Sequence, residues 1–284
     1  MDTLVQILAQ GLAIGAVFLL GALGLMIIYG VMGVINLAHG DFVMLGAYTM
    51  ALLAGSITPL GGIVAAFVVV AALGVLFDLV LVRFLYHKPV ASMLGTWGLG
   101  MVIRQVVILV LGPNLKYVGV PIGGTLALGF GVQYSAWRAV LVVASALLAA
   151  AVALLMLRTP FGLKMRAVIA NPAVAQSMGL RVERVNRWAF AFGCGLAGLA
   201  GALVAPVATV FPNMGLRYLV GAFLVVILCG LGSIRAAVGW SVAIGIGTAA
   251  IAIPFNDILG QIVVWTVALC IIAARRQTIS VARV

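Results

Sequence analysis

The residues able to do chemistry in this chain are few, and they fall into three groups. Asn36, His39 and Asp41 lie close together in the apolar stretch 34–48. Arg104 stands alone inside the apolar stretch 94–111. Segment 158–187 collects Arg158, Lys164, Arg166, Arg181, Arg184 and Arg187 against a single acid, Glu183. None of these is a catalytic constellation. The two histidines, His39 and His87, occupy separate loops, and no HExxH, CxxC or P-loop spacing occurs. Five acids in all are too few for an obvious proton relay. The sequence therefore predicts a chain that is not an enzyme, with no metal site, no cofactor of its own and no motif for hydrolysing ATP.

Each group admits more than one role. Asn36, His39 and Asp41 mark either a break, where backbone groups become available to a ligand or a gate, or a cytoplasmic turn with capping side chains. In the second case Asp41 caps a helix beginning at Phe42. A lone arginine in an apolar helix should face the bundle interior or water. Arg104 thus contacts a substrate carboxylate or carbonyl, a backbone carbonyl, or another side chain. Asp78, next to a basic loop, is expected to snorkel or cap locally, and Asp257, after Pro254, to start the last helix outside the membrane. In the basic segment, Asn171 and Pro172 form a cap and first-turn pair, and Gly179 is a terminator. Ala173, Val174 and Met178 give the short helix between them a small apolar face, suited to docking a soluble partner or to lying at an interface. Gly162 and Ala167 leave little bulk there, and Lys164 and Arg166 are placed to meet carboxylates.

The elements that position these residues are membrane helices. Of 284 residues, 65% are hydrophobic and 7% charged, against about 25% charged in soluble domains. Positions 3–40, 42–77, 139–157, 188–216 and 236–256 contain no Asp, Glu, Lys or Arg, and about 20 apolar residues suffice for one span. The net charge of +11 does not indicate nucleic acid, because the basic residues sit between apolar blocks. Met1 to Gln10 carry only Asp2, so the basic region of a cleavable signal peptide is missing and the first span is expected to stay.

The expected helices are 7–29, a short element at 42–55 after a broken or re-entrant 30–42, then 61–82, 92–111, 136–157, 188–210, 218–234, 236–253 and 258–274. A turn at 55–62 and an external loop at 112–135, with short strands, separate them. The glycine-interrupted regions 30–41 and 228–239 fall in opposite halves and are candidates for corresponding breaks. Cys194, Cys229 and Cys270 lie in apolar blocks and read as small buried hydrophobes. Basic loops 83–88 and 158–187 and the tail, with Arg275, Arg276 and Arg283, should face the cytoplasm. The result is a single all-α polytopic membrane domain, 1–284, with 158–187 as its cytoplasmic loop. It has nine crossings if the first terminus is outside, or eight if 30–55 is one re-entrant excursion.

Four stretches carry a family resemblance: GVINLAHGDFVMLGAY at 33–48, TPFGLKMRAVIANPAVAQSMGL at 159–180, GCGLAGLAGAL at 193–203 and AFLVVILCGLGSIRAAVG at 222–239. Together they resemble the LivH-type permease subunits of branched-chain amino acid ABC importers, a class that includes urea and short-amide permeases. The final stretch has Ala236-Ala237 where the family tends to have smaller or glycine residues. The tail RRQTISVARV lacks the Arg-Pro-rich ending common in the family. The resemblance implies a multi-pass protein of the bacterial inner membrane and a second permease subunit, with a heterodimer expected over a homodimer. It also implies two cytoplasmic ATPases that carry the ATP and a periplasmic substrate-binding protein. It makes 162–179 the ATPase-coupling segment and Asn36, His39, Asp41 and Arg104 candidates for the translocation path. Branched-chain amino acids are the expected solute, with urea or short amides as the alternative.

Overall fold

The structure is a computed structural model that describes residues 2–86, 88–127, 132–230 and 233–281, with the side chains of Pro89 and of 275–281 left aside. His87 and Arg283, and the side chains of Arg275 and Arg276, are outside the described residues. The helices are α1 (Asp2–Met32), α2 (His39–Leu53), α3 (Pro59–Val80), α4 (Pro89–Leu111), α5 (Ala136–Arg158), α6 (Pro160–Ala170), α7 (Pro172–Ser177), α8 (Val182–Val204), α9 (Met214–Cys229), α10 (Ile234–Ala252) and α11 (Asp257–Val281). A small hairpin, β1 (Thr125–Ala127) with β2 (Gln133–Ser135), stands in the loop between α4 and α5. Seven of the helices are long and apolar enough to cross a membrane. The protein is a multi-pass membrane protein.

The two remaining elements of the bundle, α2 and α9, have 15 and 16 residues. At 1.5 Å per residue they reach only about 22–24 Å, short of a hydrocarbon core of about 30 Å. Each is completed by a non-helical lead-in. Gly33, at φ +64°, closes α1 and turns the chain back, and residues 33–38 then run into the bundle. The first residue of α2, His39, lies against Gly21 in the body of α1. On the other side the chain leaves α8, pairs Val210 with Lys116 in the loop between α4 and α5, and enters α9 at Met214. Counting each short helix with its lead-in gives nine passes among the described residues, and the first terminus lies at the end of the bundle that carries the hairpin, where the Tyr134 hydroxyl donates to the Ala9 carbonyl at 2.9 Å.

The two breaks correspond to each other. Helix α1 packs antiparallel to α10, with Gly11 against Ile246 and Gly15 against Ser241. Helix α8 packs antiparallel to α3 in the same manner, with Gly198 against Ala66 and Val70 and Gly74 against Ala191 and Cys194. The units α1–α3 and α8–α10 are therefore inverted repeats that meet at Gly24–Gly193 and Gly40–Gly215, where backbone touches backbone. The sequence had pointed to 228–239 as the partner of the first break. The structure pairs it with 205–213, because the lead-in to a short helix, not the turn after it, is what enters the bundle.

Small residues make this packing work, since lipid gives helices no hydrophobic drive to associate and close van der Waals contact must supply it. A Cβ on Gly46 would come within 1.9 Å of the Gly198 carbonyl oxygen. Helices α1 and α8 are thereby surrounded, while α3, α4, α5 and α11 turn aliphatic faces outward. Helix α8 begins at Val182, six residues before the expected 188, so its first turns are charged. Of the cysteines, Cys194 is buried, Cys229 half-buried and Cys270 exposed, and all three are free. Only Cys194 is thus a core residue.

Candidate functional site: a broken helix inside the bundle and an exposed elbow

The first two sequence groups converge at the break before α2. The Asn36 side-chain oxygen accepts from the Ala38 N–H at 3.1 Å, which caps the turn from within. The Leu37 N–H donates to Thr96 Oγ1 of α4 at 3.0 Å. His39 Nε2 donates to the Gly21 carbonyl of α1 at 2.9 Å. Asp41 does not cap a helix at Phe42, because α2 has already begun at His39 and its N-cap, Ala38, uses no side chain. The carboxylate turns instead to α4, where Arg104 Nε lies 3.5 Å from Asp41 Oδ1. Arg104 also stands over the ring of Trp97, 5.6 Å from its centroid. Of the partners open to Arg104, a side chain, Asp41, is thus within reach.

Asn36, His39 and Asp41 are all buried, and Arg104 is nearly so. Two of their polar atoms, Asn36 Nδ2 and His39 Nδ1, have no hydrogen-bond partner among the described residues. Unpaired backbone inside a membrane is tolerated only where protein or a cavity satisfies it. Here α1 and α4 do most of that work. Two residues that sequence reading passed over are needed. Thr96 ties the break to α4, and Gly100 makes room for the carboxylate, since a Cβ there would sit 2.2 Å from Asp41 Oδ2. The signal was present: Thr96, Gly100 and Arg104 recur at four-residue spacing and share one face of α4.

The third group forms an elbow on the opposite side from the hairpin. Thr159 caps α6, its hydroxyl accepting from Gly162 N–H at 3.1 Å. Asn171 Oδ1 accepts from both Ala173 and Val174 N–H, at 3.0 and 3.1 Å, and Gly179, at φ +85°, ends α7. Ala173 is exposed, as are Val174 (52%) and Met178 (78%), whereas Ala175 faces inward. Lys164 and Arg166 are exposed and Ala167 is half-buried. Gly162 is different. It is buried against the last turn of α5, where a Cβ would meet the Leu155 carbonyl oxygen at 2.2 Å. Its smallness lets α6 fold back on α5 and is not available for a partner's approach.

Asp78 behaves unlike the expectation of a snorkelling or capping acid. It is fully buried, accepts from the Tyr86 hydroxyl, and pairs with Arg187 Nε at 3.1 Å. Burial, and then the hydrogen bond to Asp78, pushes the Tyr86 hydroxyl well above its usual range. This cluster fastens the end of α3 to the first turns of α8, directly after the elbow.

The described residues form a polytopic bundle with two discontinuous helices and an exposed elbow. The match of residues 7–272 to the model described as "Branched-chain amino acid transport system / permease component" shows that the chain belongs to that family. It is 25% identical over 260 residues to the Escherichia coli high-affinity branched-chain amino acid transport system permease protein LivH, covering 86% of this chain and 84% of that protein. It is 26% identical over 269 residues to BraD of Pseudomonas aeruginosa, which bears the same description, covering 89% and 87%. A third relative is the LivM permease protein of Salmonella typhimurium, 28% identical over 256 residues, with 76% of this chain and 57% of that protein covered. No solved structure gives a significant match.

Proposed function

We propose that this chain is the permease subunit of an ABC importer for branched-chain amino acids in the bacterial inner membrane. The observation that carries the solute class is the family match over nearly the whole chain, joined by relatives described as branched-chain amino acid permeases. Urea and short amides receive no comparable support. The likeness to LivH and LivM together favours a pair of different permeases, with the discontinuous helices beside the path. A periplasmic binding protein delivers solute on the outer side. Two cytoplasmic ATPases supply the energy, and this chain contributes no catalysis of its own.

In this reading the elbow is the coupling element. Lys164, Arg166, Asn171, Pro172, Ala173, Val174, Met178 and Gly179 sit on its exposed surface. The apolar tip of Val174 and Met178 enters a groove of the ATPase, and Asn171 fixes the helix that carries it. Rim charges such as Lys164 add little affinity, because exposed pairs contribute only about 0–1 kcal/mol. Movement at the tip reaches α3 and α8 through Arg187 and Asp78.

The test uses the assembled complex in proteoliposomes. Ala173→Glu, Val174→Asp and Met178→Glu should insert at normal abundance yet lose either the ATPase or the link between ATP turnover and leucine uptake. Wild-type turnover and uptake in all three would return the elbow to a passive interfacial role. Uptake of urea and not leucine by the unaltered complex would overturn the solute.

A further inference from the structure

Not every basic residue lies in the cytoplasmic loops, and Arg138 and Arg217 are two that do not. Arg138 is in the first turn of α5 and Arg217 in the first turn of α9, both at the outer half of the bundle. They line one open cavity of about 290 Å³ between α1, α5, α9, α10 and α11 and the turn after α8. Asp257, the first residue of α11, lines the same cavity, with Tyr218 and Gln261. Among the described residues the ion pairs are Asp41–Arg104 and Asp78–Arg187, so neither arginine is in contact with the Asp257 carboxylate. Apart from Gln10 and Thr248, the remaining wall is apolar and includes Ile14, Val17 and Leu141. Its volume is at the small end of ligand pockets, which run about 300–1,000 Å³.

We infer that this cavity is an entry station for a zwitterionic α-amino acid. Arg138 and Arg217 receive the carboxylate, Asp257 receives the ammonium, and the aliphatic side chain lies on the apolar wall. Charges kept within a membrane bundle face its interior or water and mark solute pathways. A neutral solute would leave all three without a counterpart. An anion would meet Asp257, and a cation would meet two arginines. A small zwitterion satisfies both signs at once. The station also leads to the break: Arg217 is two residues beyond Gly215, whose backbone touches Gly40 next to Asp41. A solute released from above thus rests directly over the junction of the two repeats. This assignment rests on the amino-acid reading of the family and adds to it the residues and the chemistry of capture.

The experiment uses the full complex with its binding protein in proteoliposomes. In one arm Cys194, Cys229 and Cys270 are replaced by alanine and Gln261→Cys is introduced. A membrane-impermeant maleimide is then added from the outer side. Saturating leucine should slow labelling about fivefold or more, whereas isoamylamine, the keto acid of leucine and urea should not. In a second arm Asp257→Asn and Arg217→Gln should lower uptake per ATP hydrolysed about tenfold, with stimulated ATP turnover within about twofold of the parent. Asp257→Glu and Arg217→Lys should recover part of it. Leucine protection no better than that by urea, or unaltered uptake per ATP in well-inserted variants, overturns the station. The amino-acid reading is judged separately by uptake in the unaltered complex. Protection by leucine in a complex that does not import it would sink that reading and leave the station standing.

Discussion

Asp41 on α2 and Arg104 on α4 face each other at 3.5 Å inside the bundle, and Gly100 gives the carboxylate its place. The pair holds the first turn of a discontinuous helix to a neighbour that otherwise touches it little. Its effect is to fix where α2 starts. The break, the buried pair and the facing glycines of the second repeat form one unit at the centre of the protein.

Removing one partner leaves the other charged and buried. Arg104→Ala should therefore destabilise the folded permease by about 3–5 kcal/mol, whereas exchanging both groups for uncharged ones recovers much of the loss. Thermal retention of the solubilised protein, measured for Arg104→Gln, Asp41→Asn and the double variant, gives the coupling. Strict additivity would mean that the two groups do not act as a pair.

The glycines separate into packed and free. Gly46→Ala drives a methyl into the Gly198 backbone, while a Cβ on Gly98 meets nothing within 4 Å. Overpacking costs about 1–3 kcal/mol or more, and alanine is favoured over glycine in a helix by about 1 kcal/mol. Gly46→Ala should reduce membrane abundance and Gly98→Ala should match or exceed the parent, as read by quantitative blotting and thermal unfolding. Equal behaviour of the two variants would contradict the packing described for α2 and α8.

Asn171 satisfies two N–H groups of a six-residue helix. Loss of such a cap costs about 1 kcal/mol, a large share of what a single turn and a half can hold. Asn171→Ala should speed hydrogen exchange at Ala173 and Val174 with little change in the membrane helices, and Asn171→Asp should retain the protection. Unchanged exchange in Asn171→Ala would show that neighbouring contacts, and not the cap, order α7.

At the Asp78–Tyr86–Arg187 cluster, Tyr86→Phe leaves an acceptor short of one donor, costing about 1–3 kcal/mol. Arg187→Ala should cost more, since it leaves Asp78 without its cation. The raised Tyr86 hydroxyl contributes stability that is complete below its ordinary value of about 10 and is lost only as pH rises beyond it. The difference between parent and Tyr86→Phe, followed by thermal unfolding, should therefore stay flat from about pH 6 to 9. A difference that changes across this window would mean that another group in the cluster titrates.

The sequence by itself determined the class of protein. Charge-free blocks set the membrane spans, because a charge facing lipid is costly enough to keep such blocks free of them. Caps and terminators at Asn171, Pro172 and Gly179 were equally legible, since a helix end depends on neighbours within four residues. What depended on distant contacts was not. His39 and Asp41 belong to the same turn in either reading, and only the positions of Gly21, Gly100 and Arg104 decide that they bind other helices and do not face water. Asp78 changes from a surface acid to a buried one when α8 brings Arg187 beside it. The partner of the first break moved from 228–239 to 205–213 because repeats align through packing of Gly40 on Gly215, which no local pattern records. Gathering Arg138, Arg217 and Asp257 around one cavity, from three helices far apart along the chain, is likewise a product of tertiary packing, because each is an isolated charge until the helices close around a common space.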